Sequence, residues 1–401
     1  MSNVAILIFA HICSMLGFST YAALLPQVRQ AWSLTNTQAG IVGGMFFGGY
    51  IASVWYWTSL TDGTDARRVY AAGALLAAAG SIGFGLLAQG FASAVAFQAL
   101  LGVGIAGTYM PGLRLLSDRT SGQQQSRSMA VYTASFGIGA AGSLALAGEV
   151  AARAGWRVAF AVGAVGPIVA AVSVLALLAA LPRPAVRATA AVSPLTAWRT
   201  VLRRRDVAGY TLGYTVHCLE LFGSRGWMVA FLTFSASFQP IGRGFPWRPQ
   251  TIAAAVNLLA VASSVVGNEV AQHLGRRRWI LLAMATSGTS GIVLGLAAPW
   301  HWAAVVGLLF FYATMVNADS ATLTVGLVSA TPPELRGSSL GLYSLAGFGG
   351  GMLGPVLFGA ALDLAGGAAA RIGWVAGYAA ISTGCLLAPL VVGWRDAQER
   401  W

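Results

Sequence analysis

The chain has 401 residues, 57% of them hydrophobic and only 9% charged, with a formal net charge of +12. A soluble domain carries about 25% charged residues, so the composition excludes an ordinary soluble enzyme or scaffold. All 24 basic side chains are Arg, and where they fall decides between nucleic acid and membrane as the partner.

A bilayer's hydrocarbon core is about 30 Å thick, and a helix needs roughly 20 mostly apolar residues to cross it. Twelve stretches meet that requirement: 4–27, 37–60, 69–88, 92–116, 129–152, 156–181, 207–234, 251–272, 279–297, 302–325, 340–364 and 372–394. With a cytoplasmic N-terminus, seventeen Arg fall in inside loops and six in outside loops, and Arg225 lies within a segment. Cytoplasmic loops carry the excess of basic residues. Both termini are therefore expected in the cytoplasm, with an even number of crossings. On this reading the Arg clusters are a topology signal, and nucleic-acid binding is not expected.

Met1-Ser2-Asn3 offers no basic leader, and the first apolar stretch is too long for a cleaved signal peptide. It is expected to stay as a helix. Cys13, Cys218 and Cys385 fall inside helices, odd in number and widely spaced. That is a packing pattern, and no metal or redox site is expected from it.

Between the sixth and seventh segments runs the longest polar stretch, 182–206, with Arg183, Pro184, Arg187, Pro194 and Arg203-Arg204-Arg205-Asp206. It reads as a cytoplasmic linker joining two six-helix units, 1–181 and 207–401. Internal similarity supports a repeat. The fifth segment holds Phe136-Gly137-Ile138-Gly139-Ala140-Ala141-Gly142-Ser143, and the eleventh holds Phe348-Gly349-Gly350-Gly351-Met352-Leu353-Gly354-Pro355. Both follow F-G-x-G-x-x-G-[SP] at matching places. Small residues at this spacing let helix backbones approach closely within a membrane.

A second correspondence joins two short turns. One reads Asp62-Gly63-Thr64-Asp65-Ala66-Arg67-Arg68, the other Gly275-Arg276-Arg277-Arg278. They resemble a degenerate form of the signature loop of the major facilitator superfamily, G-x-x-x-D-R-x-G-R-R. Gly155-Trp156-Arg157, Leu335-Arg336-Gly337 and the Gly102-x-Gly104 pair also fit that superfamily. The resemblance covers the whole chain. It implies an all-α polytopic membrane protein, with twelve helices in two pseudo-symmetric six-helix bundles. These bundles would expose a midplane site to alternate sides. It further implies that Asp62, Arg67, Arg68, Arg276 and Arg277 lock a closed conformation. Two departures stand out. Gln98 sits where many proton-coupled members carry Arg, and Ser143 stands where antiporter patterns carry Pro, which appears instead as Pro355.

Ionisable groups inside a spanning helix are costly and mark functional sites by default. The seventh segment carries Tyr214, His217, Glu220, Ser224 and Arg225. His217, Glu220 and Ser224 fall on one stripe, and Arg225 lies off it. The run from Gly213 to Trp227 resembles seventh-helix patterns of cyanate- or nitrate-like members. Within the superfamily's architecture the first, fourth, seventh and tenth helices line the cavity, so His11, His217 and Asp319 are expected at one level. A histidine beside a carboxylate makes a proton acceptor that works near neutrality. The substrate site is expected at Arg225, Glu220, His217, Tyr214, Tyr109 and Asn317, and proton coupling at Glu220, His217, Asp319 and His11. The bland competitors are a structural ion pair of Glu220 and Arg225 with neighbouring helices, a packing role for His11 and a backbone cap at Asp319. Arg114 is expected to anchor a loop, and Glu269 to pair with Arg277 or Arg278.

No Gly-rich loop followed by Lys and Ser or Thr exists, so ATP-driven transport is not expected. Nor are a cofactor, a metal or enzymatic activity. The expected function is secondary transport of a small anionic solute across the cytoplasmic (inner) membrane, coupled to protons. Efflux of a small hydrophobic or cationic compound is the alternative, and a non-transporting sensor is the alternative of another class.

Overall fold

A computed structural model describes residues 2–181, 198–199, 202–240, 244–332 and 335–391. Arg183, Pro184, Arg187 and Pro194 of the linker, with Arg243, Arg395 and Arg400, lie outside the described residues. Among the described residues the secondary structure is helical throughout. The first span is α1 (Asn3–Ser14), a 3-10 turn (Met15–Gly17) and α2 (Thr20–Ala31). Then follow α3 (Asn36–Gly63), α4 (Ala66–Leu86), α5 (Phe91–Ser117) and α6 (Gly122–Ala154). The sixth span is α7 (Trp156–Gly163) and α8 (Val165–Leu177). The second half holds α9 (Arg205–Ala236), α10 (Pro249–Leu274) and α11 (Arg276–Leu296). The tenth span is α12 (Trp302–Ala318) and α13 (Ser320–Ala330), followed by α14 (Arg336–Leu364) and α15 (Arg371–Val391).

Among the described residues these make twelve helical spans, as the apolar segments predict. Ten are long and apolar enough to cross a bilayer by length and composition alone. The ten do not include α9, the helix that carries His217, Glu220 and Arg225.

Three spans that read as continuous are broken, each for a local reason. In the sixth, Pro167 has no N–H to give the Gly163 carbonyl, so the helix restarts at Val165. In the tenth, the Asn317 side-chain amide donates back to Ala313 O at 2.7 Å, and the break falls at Asp319. In the first, Ser143 answers the interruption: its hydroxyl accepts from Ser19 N at 3.0 Å, at the residue that precedes α2. The Ser that stands in place of Pro in the fifth span thus satisfies backbone freed in the first.

Two compact units emerge. One gathers Met1–Leu34, Ile41–Arg187 and Trp247–Leu258; the other gathers Thr35–Gly40, Ala188–Pro246 and Leu259–Trp401. The exchanged helix starts are each tied down. In the second unit, the Asp363 carboxylate accepts from Asn36 N (3.1 Å), Asn36 Nδ2 (2.7 Å), Thr37 N (2.8 Å) and Thr37 Oγ1 (2.7 Å), capping α3. In the first, Arg248 Nη1 contacts Glu149 Oε2 at 2.8 Å, and Gln250 Nε2 donates to Ala23 O at 3.0 Å.

Glycine sets the close approaches. A Cβ on Gly104 would strike the backbone of Ala77 in α4, while one on Gly102 would strike the Phe46 carbonyl in α3. The Gly-x-Gly pair therefore seats α5 on two helices at once. The repeated motif acts alike in both units. Gly139 and Gly142 meet Met15, Ile12 and Leu16 of the first span, whereas Gly350 and Gly354 meet the Thr215 and Leu219 carbonyls of the seventh. The fifth and eleventh helices each pack their glycines on the first helix of their own half.

Candidate functional site

The polar residues of α9 distribute onto three sides of the helix. Successive residues turn by about 100°, so Glu220 lies about 60° to one side of His217 and Arg225 about 80° to the other. Neighbouring helices make this split matter.

Glu220 is 1% exposed. Its Oε2 accepts from Ser287 Oγ of α11 at 2.8 Å. Its Oε1 accepts from Ser382 Oγ of α15 at 2.9 Å and, more weakly, from Tyr312 OH of α12 at 3.4 Å. Four helices thus meet at one carboxylate. Among the described residues no cation pairs with it. An ionised carboxylate can accept several hydrogen bonds, and here neutral hydroxyls supply them.

His217 and Asp319 are brought together. Nδ1 stands 2.8 Å from Asp319 Oδ1, and both side chains are nearly fully buried. The distance is that of a hydrogen bond, yet Oδ1 has no aligned donor and Nε2 has no partner. The two side chains are therefore in close buried contact without an aligned hydrogen bond between them. The Asp319 side chain does not cap α13, which removes the bland reading of that residue. Above the pair, Tyr214 stacks on Tyr343 with ring centroids 3.9 Å apart and on His217 at 5.7 Å. Tyr343 OH lies 3.1 Å from Thr324 Oγ1.

Arg225 reaches the tenth span too. Its Nη2 donates to Asn317 Oδ1 at 3.1 Å. Asn317 can accept there because its amide nitrogen is already committed to Ala313 O. The expected competitor, structural ion pairing of Glu220 and Arg225 with neighbouring helices, does not form among the described residues: each finds only neutral partners there, and about 140° of helix rotation separates the two from each other.

His11 and Tyr109 belong to the other unit. His11 is fully buried with its ring 4.2 Å from Tyr132, 5.5 Å from Tyr109 and 6.5 Å from Phe136. Neither ring nitrogen has a hydrogen-bond partner. It sits in an aromatic cage within the first unit.

At the α3–α4 turn the charges are spent locally. Arg67 forms a forked contact with Asp65, Nη2 to Oδ2 at 2.7 Å, and donates Nη1 to Leu178 O at 2.6 Å. Asp65 also caps α4 through Arg67 N, and the Arg67 bond holds its carboxyl below the usual range. Asp62 pairs instead with Arg114 at 3.3 Å, and Arg114 also holds Asp118. Arg114 is thus the loop anchor expected of it. In the corresponding α10–α11 turn, the expected pairing of Glu269 with Arg277 or Arg278 is absent among the described residues, whose ion pairs lie elsewhere.

Sequence reasoning missed Ser287, Ser382, Tyr343 and Asp65. Ser287 and Ser382 were signalled as hydroxyls in the middle of apolar segments, where a hydroxyl needs a partner.

The family model of the Major Facilitator Superfamily matches residues 7–355. The chain belongs to the major facilitator superfamily. It is accordingly a secondary transporter of that superfamily, built of membrane-spanning helices, and not an enzyme. Solved structures share the fold. A bacterial homolog to human lysosomal transporter Spinster, in its inward-facing and unoccupied conformation, is 14% identical with a TM-score of 0.76, covering 97% of this chain and 93% of that one. A peptide transporter POT in complex with alafosfalin is 13% identical with a TM-score of 0.77, with coverage of 97% and 93%. A POT family transporter in complex with 5-aminolevulinic acid is 12% identical with a TM-score of 0.76, with coverage of 97% and 95%. At these identities the likeness shows the superfamily's architecture alone. No curated protein sequence matches the chain.

Proposed function

We propose that this superfamily member moves a small anionic solute in exchange for, or together with, protons, from a site in the second unit. The observation that carries the proposal is the separation of Glu220 from Arg225. Two residues of opposite charge lie five apart on one helix, and each is held by neutral groups only. A structural ion pair would have neutralised both. Left apart, the guanidinium is a cation without a carboxylate, suited to an anion through its planar donors. The carboxylate is an acid without a cation, suited to carrying a proton.

Glu220 already accepts from three hydroxyls and is shut away from solvent, which favours a proton role over direct contact with a cationic solute. His217 and Asp319 form a second proton-exchanging pair one turn away. Tyr214 lies beside them. Asn317, hydrogen-bonded to Arg225, would orient the guanidinium rather than bind alone. His11 and Tyr109 lie in the first unit and are not part of this second-unit site.

The topology that goes with this reading places both termini in the cytoplasm and the protein in the inner membrane, on the strength of the Arg asymmetry. Asp62, Arg67, Arg68, Arg276 and Arg277 would then lie on the cytoplasmic side, where they would brace the closed state. The deciding experiment is flux in proteoliposomes under an imposed pH gradient, with a panel of small acids and amines. Uptake of an acid that follows the gradient in wild type, and no longer does so in Glu220→Gln, is the expected result. A panel in which only amines move would overturn the anionic reading.

A further inference from the structure

The two corresponding turns of the halves differ in how their arginines are used. At the α3–α4 turn, Arg67 is bound to Asp65 and Leu178 O, and the neighbouring Arg114 and Arg119 are bound to Asp62, Asp118, Leu115 O and Ala179 O. The α10–α11 turn has no acidic residue between Gln272 and Trp279. Arg276, Arg277 and Arg278 there make no ion pair or side-chain hydrogen bond among the described residues. They line a cavity of about 910 Å3 together with Asn268, Gln272 and His273. Its size falls in the range of small-molecule sites, about 300–1,000 Å3.

The backbone adds to the positive field. Gly275 precedes α11 at φ +86° with no side-chain cap, and the first intrahelical bond is Trp279 N to Gly275 O at 3.0 Å. The N–H groups of the first turn therefore have no side-chain acceptor, at the positive end of the helix dipole. Three guanidiniums, a histidine, two side-chain amides and a bare helix start thus surround one cavity, with nothing negative inside it.

We propose that this cavity binds a phosphate-bearing anion, and that its occupant is the phosphodiester headgroup of an anionic membrane lipid. Arg recognises phosphate oxygens with forked donors, and helix N-termini present backbone donors to the same group. The turn joins two bilayer-spanning helices and so lies at the bilayer surface, where anionic headgroups are concentrated. The site holds whether or not the transported solute is an anion.

The test uses the purified full chain in nanodiscs of phosphatidylcholine, with or without phosphatidylglycerol, and native mass spectrometry to read retained lipid. The variant Arg276→Gln/Arg277→Gln/Arg278→Gln is expected to lose phosphatidylglycerol retention by at least about tenfold. The charge-matched variant Arg203→Gln/Arg204→Gln/Arg205→Gln is expected to keep it. Equal loss in both, or loss in neither, would overturn the site. Wild-type protein supplies a reading independent of folding. Phenylglyoxal should modify the peptide carrying Arg276, Arg277 and Arg278 more slowly in phosphatidylglycerol discs than in phosphatidylcholine discs, and equal rates would again overturn the proposal. Glycerol 3-phosphate added to phosphatidylcholine discs separates the sources: no protection supports the lipid, and full protection overturns the lipid assignment in favour of a soluble phosphate compound.

Discussion

Ser382 donates to Glu220 Oε1 across 2.9 Å and so ties α15 to the carboxylate that Ser287 holds from α11. A hydrogen bond to a charged group contributes about 1.5–3 kcal/mol when the charge is present. Ser382→Ala and Ser287→Ala should each lower thermal stability, and the pair should be non-additive because both act on one carboxylate. In a Glu220→Gln background the loss from either Ser substitution should shrink, since the acceptor is then neutral. Unfolding of all single and double variants in detergent checks this. Identical Ser effects in the wild-type and Glu220→Gln backgrounds would show that the carboxylate is not charged there.

Coupling is a separate matter from stability. Glu220→Gln keeps the acceptor oxygen for one serine and fixes the group in a neutral form. Exchange of solute across the membrane should survive, while accumulation driven by a pH gradient should fall to background. Counterflow measured beside gradient-driven uptake distinguishes the two, and gradient-driven accumulation at the wild-type level would remove Glu220 from the proton path.

His217 and Asp319 form a buried pair at 2.8 Å. Removing one partner of a buried pair costs up to about 3–5 kcal/mol, because the other is left uncompensated. Asp319→Asn alone should therefore destabilise more than the double variant His217→Gln/Asp319→Asn does relative to His217→Gln. The double-mutant cycle reads the coupling directly, and a coupling within about 0.5 kcal/mol of zero would mean that the misaligned contact is incidental.

Asp65 offers a pH test outside the spans. Its carboxyl is held below the usual range, first by the Arg67 side-chain bond. A depressed folded pKa stabilises above the unfolded value of about 3.9, and that stability is lost as pH falls through the folded pKa. Asp65→Asn keeps a side-chain cap for α4 but removes the charge. The variant should melt below wild type at neutral pH, and the two curves should converge in acid. Melting curves that stay parallel down to acid would assign the Asp65 effect to capping alone.

The twelve spans were legible because bilayer thickness imposes a length and a composition that few other structures share. The glycine motif was legible for a related reason, since only backbone approach demands that spacing. Charge partners were legible only in part. The shared level of His217 and Asp319 could be read from their depth in the spans, but Arg225 with Asn317 is a contact over about ninety residues that helix periodicity cannot order. Ser143 shows the same limit: its value lies in satisfying Ser19 N, and a local pattern sees only a missing Pro. The three broken spans were hidden because Gly, Pro and Asn within an apolar run are tolerated in membranes, where neighbours re-satisfy the backbone.

Two glycines of one motif give a controlled packing test. A Cβ on Gly350 would strike the Thr215 carbonyl, whereas one on Gly349 meets nothing within 4 Å. Gly350→Ala should cost about 1–3 kcal/mol by forcing α14 off α9. Gly349→Ala should be neutral or stabilise slightly, because Ala favours helix over Gly by up to about 1 kcal/mol. Yields and melting temperatures of the two variants settle the comparison, and equal losses would show that the repeat is not a packing device.

Arg225 and Asn317 should act together on the solute, and separately from Glu220. Arg225→Lys keeps the charge but loses the planar fork, so affinity should fall by about tenfold without a change in which charge is preferred. Arg225→Ala should abolish the preference for acids over amines. Asn317→Ala frees the Nη2 donor, so it should weaken binding less than Arg225→Ala and add nothing in the double variant, because the amide acts through the guanidinium. Since no ion pair joins Arg225 to Glu220 among the described residues, the pH dependence of flux in Arg225→Lys should keep its wild-type midpoint. A midpoint that moves with Arg225 would show that the two charges communicate across the helix, and the separation on which the transport proposal rests would fail.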